Sequence, residues 1–299
     1  MGHSSPEDIL SWDNLIYLAD FFEKSGCNYV SLLGGEPLLH PEISEFILYL
    51  NSRGIASTVF TSGIAPDKKY EALTSKLSDF RDLALSFVCN VNDPEDSPAR
   101  ELEKVTRFLD HFQEKVCLSF NVYKTDFKYD FLIDYINRYN LERNIRLGLA
   151  HPIPGKPNNC ISPDKFAETG DRISMLCDDL AKEGITLGLD CGFPVCMFTE
   201  EQIGRLFLNT LKKLDFTCGP AIDIGPNMDV WSCFPLSEYN KRSIYDFSSM
   251  KELYDYFDSS MSELREGAYL YDKCPECSYL KRGLCSGGCI SHILNKKGK

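Results

Sequence analysis

From Ser11 to Leu149 the sequence switches repeatedly between helical hydrophobic periodicity and short apolar runs, and this alternation narrows the possible folds more than any other feature. Ser11 stands as an N-cap before residues 12–22, whose apolar positions recur at helical spacing, and Gly26 stops that helix. The apolar run at residues 29–33 follows and ends at Gly34-Gly35. A helix pattern over 41–52 comes next, with proline in its first turn and Arg53-Gly54 as its stop. The pair of patterns then recurs. A strand at 56–61 precedes a polar helix at 67–77, one at 83–88 a helix at 98–114, one at 116–122 a helix at 130–139, and 145–149 closes the series. Strands separated by helices predict parallel pairing through crossover helices, and therefore an α/β fold, as a (β/α) barrel or an open sheet.

Folds of this kind place their site at the C-terminal ends of the strands. Those ends here are Gly34-Gly35-Glu36-Pro37, Ser62-Gly63, Asn90 with Asn92, Tyr123-Lys124 and His151-Pro152. All are polar or glycine-rich, which predicts one shared cleft. A loop at 154–159, a helix at 163–183 and a strand at 185–189 follow. Cysteines become dense from Asp190 onward, so a first unit over 1–190 and a smaller second unit over 191–299 are expected.

The second unit holds a grid of thiols: Cys218, Cys233, Cys274-Pro-Glu-Cys277 and Cys285-Ser-Gly-Gly-Cys289. Thiolates at such spacings chelate soft metals, and four on short loops can surround a zinc ion or an iron–sulfur cluster. Hydrophobic content of 43% and charged content of 25% are those of an ordinary globular protein, not a disulfide scaffold. A net charge of −12 opposes nonspecific binding to nucleic acid or anionic membranes. The sequence has no apolar run of about 18 residues, and Met1 to Pro6 do not read as a signal peptide. A reducing cytoplasm is the expected setting.

Gly34-Gly35-Glu36-Pro37 is the sharpest motif of the first unit. Its two glycines let a ligand approach the backbone, Glu36 offers acceptors suited to an ammonium group, and Pro37 fixes the turn. Together with the cysteine grid, this motif makes the chain resemble the radical S-adenosylmethionine (radical SAM) enzymes that carry a SPASM or twitch-type C-terminal extension, from about Leu15 to Cys289. The resemblance implies a partial (β/α) barrel whose first strand is missing, followed by a small cysteine-rich α+β domain. It implies that Gly34, Gly35, Glu36 and Pro37 hold the methionine amino group of S-adenosylmethionine. Ser62, Ser86, Asn121 and His151 would be the further cofactor contacts. It also implies one or two auxiliary 4Fe–4S clusters on Cys218, Cys233, Cys274, Cys277, Cys285 and Cys289, with Cys191 and Cys196 completing a set of eight. Cys27, Cys89, Cys117, Cys160 and Cys177 read as small apolar core residues.

Departures from the family pattern are equally specific. Met228 stands in the hairpin where relatives usually have glycine, and no cysteine follows Cys289. The CxxxCxxC loop that holds the radical-forming cluster is not in this sequence, and neither is the strand before it. Either the chain is part of a longer protein or it has lost radical chemistry. The apolar edge left at 29–33, with neither charge nor proline to blunt it, favours the first. The resemblance implies an oxidoreductase that, when intact, cleaves S-adenosylmethionine reductively and abstracts a hydrogen atom from a peptide or protein. A flavodoxin or ferredoxin would supply the electron. The alternative is a non-catalytic scaffold in which Cys274, Cys277, Cys285 and Cys289 form a zinc knuckle.

Overall fold

The computed structural model describes residues 8–77, 83–210 and 214–297, so Met1 to Pro6 lie outside the described residues. Helix α1 (Trp12–Lys24) starts where the sequence predicts, with the Ser11 hydroxyl accepting from Asn14 N–H at 3.2 Å. The elements that follow are β1 (Tyr29–Leu32), α2 (Ile43–Ser52), β2 (Ala56–Thr61), α3 (Asp67–Leu77), β3 (Leu85–Asn90), α4 (Ala99–Phe112), β4 (Val116–Val122), α5 (Asp130–Tyr139), β5 (Asn144–Leu149), α6 (Phe166–Lys182), β6 (Thr186–Leu189) and α7 (Glu200–Leu208). All six strands are parallel and paired in sequence order, β1 at one edge and β6 at the other. The fold is thus the expected α/β partial barrel.

Register decides which side chains share a face, because neighbours in a parallel ladder point the same way. Val59, Phe87, Leu118, Phe120, Leu147 and Leu187 face the helices and form the main core with Leu73, Phe108, Leu132 and Ile173. Phe193, Met197, Phe198 and Leu206, from the segment after β6, pack into this same core. The opposite face is polar. Ser31, Thr58 and Ser86 form one row across it, and Asn90, Ser119 and Arg146 form a higher one.

The C-terminal part opens with a three-stranded antiparallel sheet, β7 (Asp223–Ile224), β8 (Asp229–Trp231) and β9 (Arg242–Ser243). Helices α8 (Met250–Arg265), α9 (Ser278–Lys281) and α10 (Ile290–Lys297) complete it. Met228, between β7 and β8, has φ +67°, a left-handed backbone that costs a non-glycine residue about 1–2 kcal/mol. That geometry explains a preference for glycine there. Met228 stays because its side chain is buried with Val230, Leu253 and Phe257. Among the described residues no helix is long and apolar enough to cross a membrane.

Helix α1 joins the two parts. Leu15 and Ala19 pack on Phe46, Leu50 and Ile55 of the barrel, while Leu18 and Phe21 pack on Met228, Val230, Phe247 and Phe257. Two hydrogen bonds fix its position, from Asn14 Nδ2 to the Pro226 carbonyl at 2.8 Å and from Met250 N–H to Ser25 Oγ at 3.0 Å. Phe21→Ala should therefore lower the unfolding free energy by about 3–5 kcal/mol. Ile16→Ala, at a position 41% exposed on the same helix, should change it by less than about 0.5 kcal/mol. Denaturant titration of the two variants checks this.

Candidate cofactor and metal site

The end of β1 is tied to the end of β2 through one carboxylate. Glu36 Oε1 accepts from Thr61 Oγ1 at 2.6 Å and from Leu38 N–H at 3.2 Å. Its Oε2 accepts from Ser62 N–H at 2.8 Å and Ser62 Oγ at 2.6 Å. Four donors occupy most of what a carboxylate can accept. The space in front of Gly34 and Gly35 is open for at least 4 Å from where a Cβ would sit, and their carbonyls accept no hydrogen bond among the described residues. Glu36 and Ser62 therefore form the frame of this turn, while the Gly34 and Gly35 carbonyls are the free acceptors. Pro37 is buried and begins a short 3-10 turn.

The remaining cofactor candidates lie on the polar face or at its upper rim. Ser86 Oγ and Thr58 Oγ1 are 2.6 Å apart. The Asn121 amide lies against Gly148, beside the Asp190 carboxylate. Asp190 pairs with Arg146 at 2.7 Å, and the Arg146 guanidinium lies 4.7 Å above the Phe60 ring. His151, at the end of β5, has its Nε2 3.2 Å from the Cys191 carbonyl and its ring 5.4 Å from that of His292. Gly192 permits this approach: a Cβ there would collide with the His151 ring. Burial holds both imidazoles below their usual pKa, His292 down to about 3, so both are neutral at pH 7.

The eight thiols sort into two groups of four. Cys218 and Cys289 share a hydrogen bond, and each repels a thiolate at the other or at Cys191 and Cys233. Cys196, Cys274, Cys277 and Cys285 line a separate cavity with Val195, Tyr271 and Leu280. Gly287 and Gly288, at φ +76° and +93°, turn the chain between Cys285 and Cys289 and so send them to different groups. Cys89, Cys117 and Cys177 are buried, as expected of core thiols. Cys27 and Cys160 are half-buried, since they lie in the turn after α1 and the loop before α6.

The donor chemistry fits a cationic centre. The hydrogen bond from Cys218 brings Cys289 down to about 7, assisted by Ser291, and makes it the more acidic of the pair. Burial raises Cys233, whereas Cys191 and Cys196 are exposed. Thiols crowded in this way resist joint ionisation unless a metal centre supplies positive charge, which deprotonates them outright. Buried His151 Nδ1 and His292 Nε2, next to the first group, have no hydrogen-bond partner. Among the described residues no three His, Cys, Asp or Glu side chains converge on a point that would suit a single ion. For the radical-forming cluster the residues do not fit. Cys89 and Cys117 are buried on opposite faces of the adjacent strands β3 and β4, and among the described residues no third thiol converges with them.

Six parallel strands with polar ends, followed by a thiol-rich module, form an α/β partial barrel with a cysteine-rich extension. A sequence model of the Radical SAM superfamily matches residues 2–116 of the chain. No curated protein matches the chain. It is similar in fold to Streptococcus suis SuiB, at 16% identity and TM-score 0.60, with 93% of this chain and 65% of SuiB covered. SuiB bound to S-adenosylmethionine gives 16% identity, TM-score 0.62 and coverage of 92% and 65%. SuiB bound to the precursor peptide SuiA gives 16%, 0.60, and 91% and 63%. The chain therefore spans just under two thirds of the solved structures it matches.

Sequence reasoning passed over Arg146, Asp190, Thr61 and His292. A lone charge inside the apolar strand 145–149 was the available signal for Arg146, and Asp190 stands at the start of the dense cysteines. From the frame around Glu36, Glu36→Gln should cost about 1–3 kcal/mol of stability, because donors are left facing a weaker acceptor. Thr61→Val removes one donor with little change of shape and should cost about 0.5–1.5 kcal/mol. Urea unfolding of both variants measures the difference.

Proposed function

We propose that this chain supplies the S-adenosylmethionine-holding strand ends and the auxiliary iron–sulfur module of a radical SAM enzyme that modifies a peptide or protein. Residues 1–190 would form the first unit and 191–299 a SPASM or twitch-like second. The observation that carries the proposal is the sorting of eight cysteines into Cys191, Cys218, Cys233 and Cys289 on one side and Cys196, Cys274, Cys277 and Cys285 on the other. Each set matches the four thiolates of a 4Fe–4S cluster. A zinc knuckle on Cys274, Cys277, Cys285 and Cys289 is disfavoured, because Cys289 turns to Cys218 and away from the other three.

The chain's own residues have distinct tasks in this reading. The Gly34 and Gly35 carbonyls accept from the cofactor's ammonium, and Glu36 holds the turn that presents them. Ser62, Ser86, Asn121 and His151 offer further polar contacts along the rim. Iron–sulfur clusters, when bound, supply one-electron transfer. Arg146, stacked on Phe60 and tethered by Asp190, keeps most of its guanidinium donors for a polar group of the substrate. That SuiB has been solved with both S-adenosylmethionine and a precursor peptide supports a peptidyl substrate. A flavodoxin or ferredoxin donor and a cytoplasmic setting complete the proposal. The sequence contains no CxxxCxxC, so no step of S-adenosylmethionine cleavage is assigned to these residues.

Anaerobic reconstitution tests the module. The chain should take up about eight irons with equal sulfide, as two clusters require. Cys191→Ala and Cys277→Ala should each remove about half, and Cys117→Ala none. Stoichiometric zinc without labile sulfide would contradict the reading. Under dithionite, residues 1–299 alone should release no 5′-deoxyadenosine, and sustained release would show that ligands other than those named here hold the reactive centre.

A further inference from the structure

Arg265, the last residue of α8, reaches under the loop that separates the two thiol sets. Its Nη1 donates to the Ser286 carbonyl and, at 2.8 Å, to the Gly288 carbonyl. The Gly287 carbonyl between them accepts from Leu270 N–H at 3.0 Å. Ser286 is also the link to Cys218, whose N–H donates to Ser286 Oγ at 2.9 Å. One guanidinium thus holds the backbone immediately before Cys289 and lies beside the segment that carries Cys218.

The other half of that guanidinium is unaccounted for. Arg265 Nη2 is buried and has no hydrogen-bond partner, and no carboxylate among the described residues pairs with Arg265. Leaving the donor of a permanent cation buried and unpaired is costly. A group rich in sulfur acceptors and negative charge would remove that cost.

We propose that Arg265 is a positioning residue for the iron–sulfur cluster held by Cys191, Cys218, Cys233 and Cys289, donating from Nη2 to its sulfur and making it easier to reduce. This rests on the reading that this set binds a cluster. Reduction by one electron adds negative charge to the cluster, so a buried cation and a hydrogen bond to sulfur both stabilise the reduced form. No proton need move, because an arginine stays charged throughout.

The test uses the full chain carrying Cys274→Ala and Cys277→Ala, so that only the first set can load. After anaerobic reconstitution it is titrated with dithionite and followed by electron paramagnetic resonance. Adding Arg265→Gln should make reduction at least tenfold less favourable, a midpoint lower by about 59 mV for one electron. Arg265→Lys, which keeps the charge, should shift it by less. If Arg265→Gln loses its iron while Arg265→Lys keeps it, the charge is again shown to be required. Full loading with an unchanged midpoint in Arg265→Gln overturns the proposal. Equal loss of iron in both variants also overturns it, since Arg265 would then only clamp the loop. If the double-cysteine parent with Arg265 intact binds neither iron nor sulfide, the cluster reading itself fails and takes this inference with it.

Discussion

The two-sided burial of α1 is the constraint on which the rest of the structure depends. Leu15 and Ala19 belong to the barrel's packing, whereas Leu18 and Phe21 belong to the hairpin and α8. One helix therefore fixes the thiol-bearing part against the strands whose ends carry Gly34, Glu36 and Ser62. Segment 193–206 adds a second attachment, because Phe193, Met197, Phe198 and Leu206 pack in the barrel core while Cys191 and Cys196 stand beside them. Each thiol set accordingly draws one ligand from the barrel side and three from the C-terminal part. A set built in this way ties the two parts together once a cluster is bound.

Charge governs the site as packing governs the fold. Within the first set, the Cys218–Cys289 hydrogen bond together with Ser291 favours a thiolate at Cys289, while burial and mutual repulsion hold its neighbours protonated. In the proposed reading such a set would be relieved of its mutual repulsion by a metal centre. The Glu36 frame shows the opposite condition, a carboxylate satisfied by four donors from residues 38, 61 and 62. It is rigid by itself, and the unpaired Gly34 and Gly35 carbonyls are what it presents.

Much of the fold was legible because period and punctuation agreed. Strands β2 and β4 and helices α3 and α5 have the bounds that periodicity predicts. Where boundaries moved, local hydrogen bonds explain it. Helix α2 begins at Ile43 and not at residue 41, since Glu42 N–H is taken by His40 Nδ1 at 3.1 Å and its carboxylate by Trp12 Nε1 at 2.7 Å. Strand β3 begins at Leu85 because Leu83 and Ala84 precede the first register pair, Ser57 with Leu85. The sorting of thiols was not legible. Spacing pairs Cys285 with Cys289, and only the left-handed turn at Gly287 and Gly288 separates them. Nor could spacing find Arg146 or Arg265, whose roles arise from neighbours distant in sequence.

In the proposed reading two four-thiolate sites divide eight of the cysteines between them. Anomalous diffraction at the iron edge, from crystals of the anaerobically reconstituted chain, tests it most directly. The account predicts two iron peaks, one enclosed by Cys191, Cys218, Cys233 and Cys289 and the other by Cys196, Cys274, Cys277 and Cys285. A single peak enclosed by Cys274, Cys277, Cys285 and Cys289, or a signal at the zinc edge alone, would contradict it.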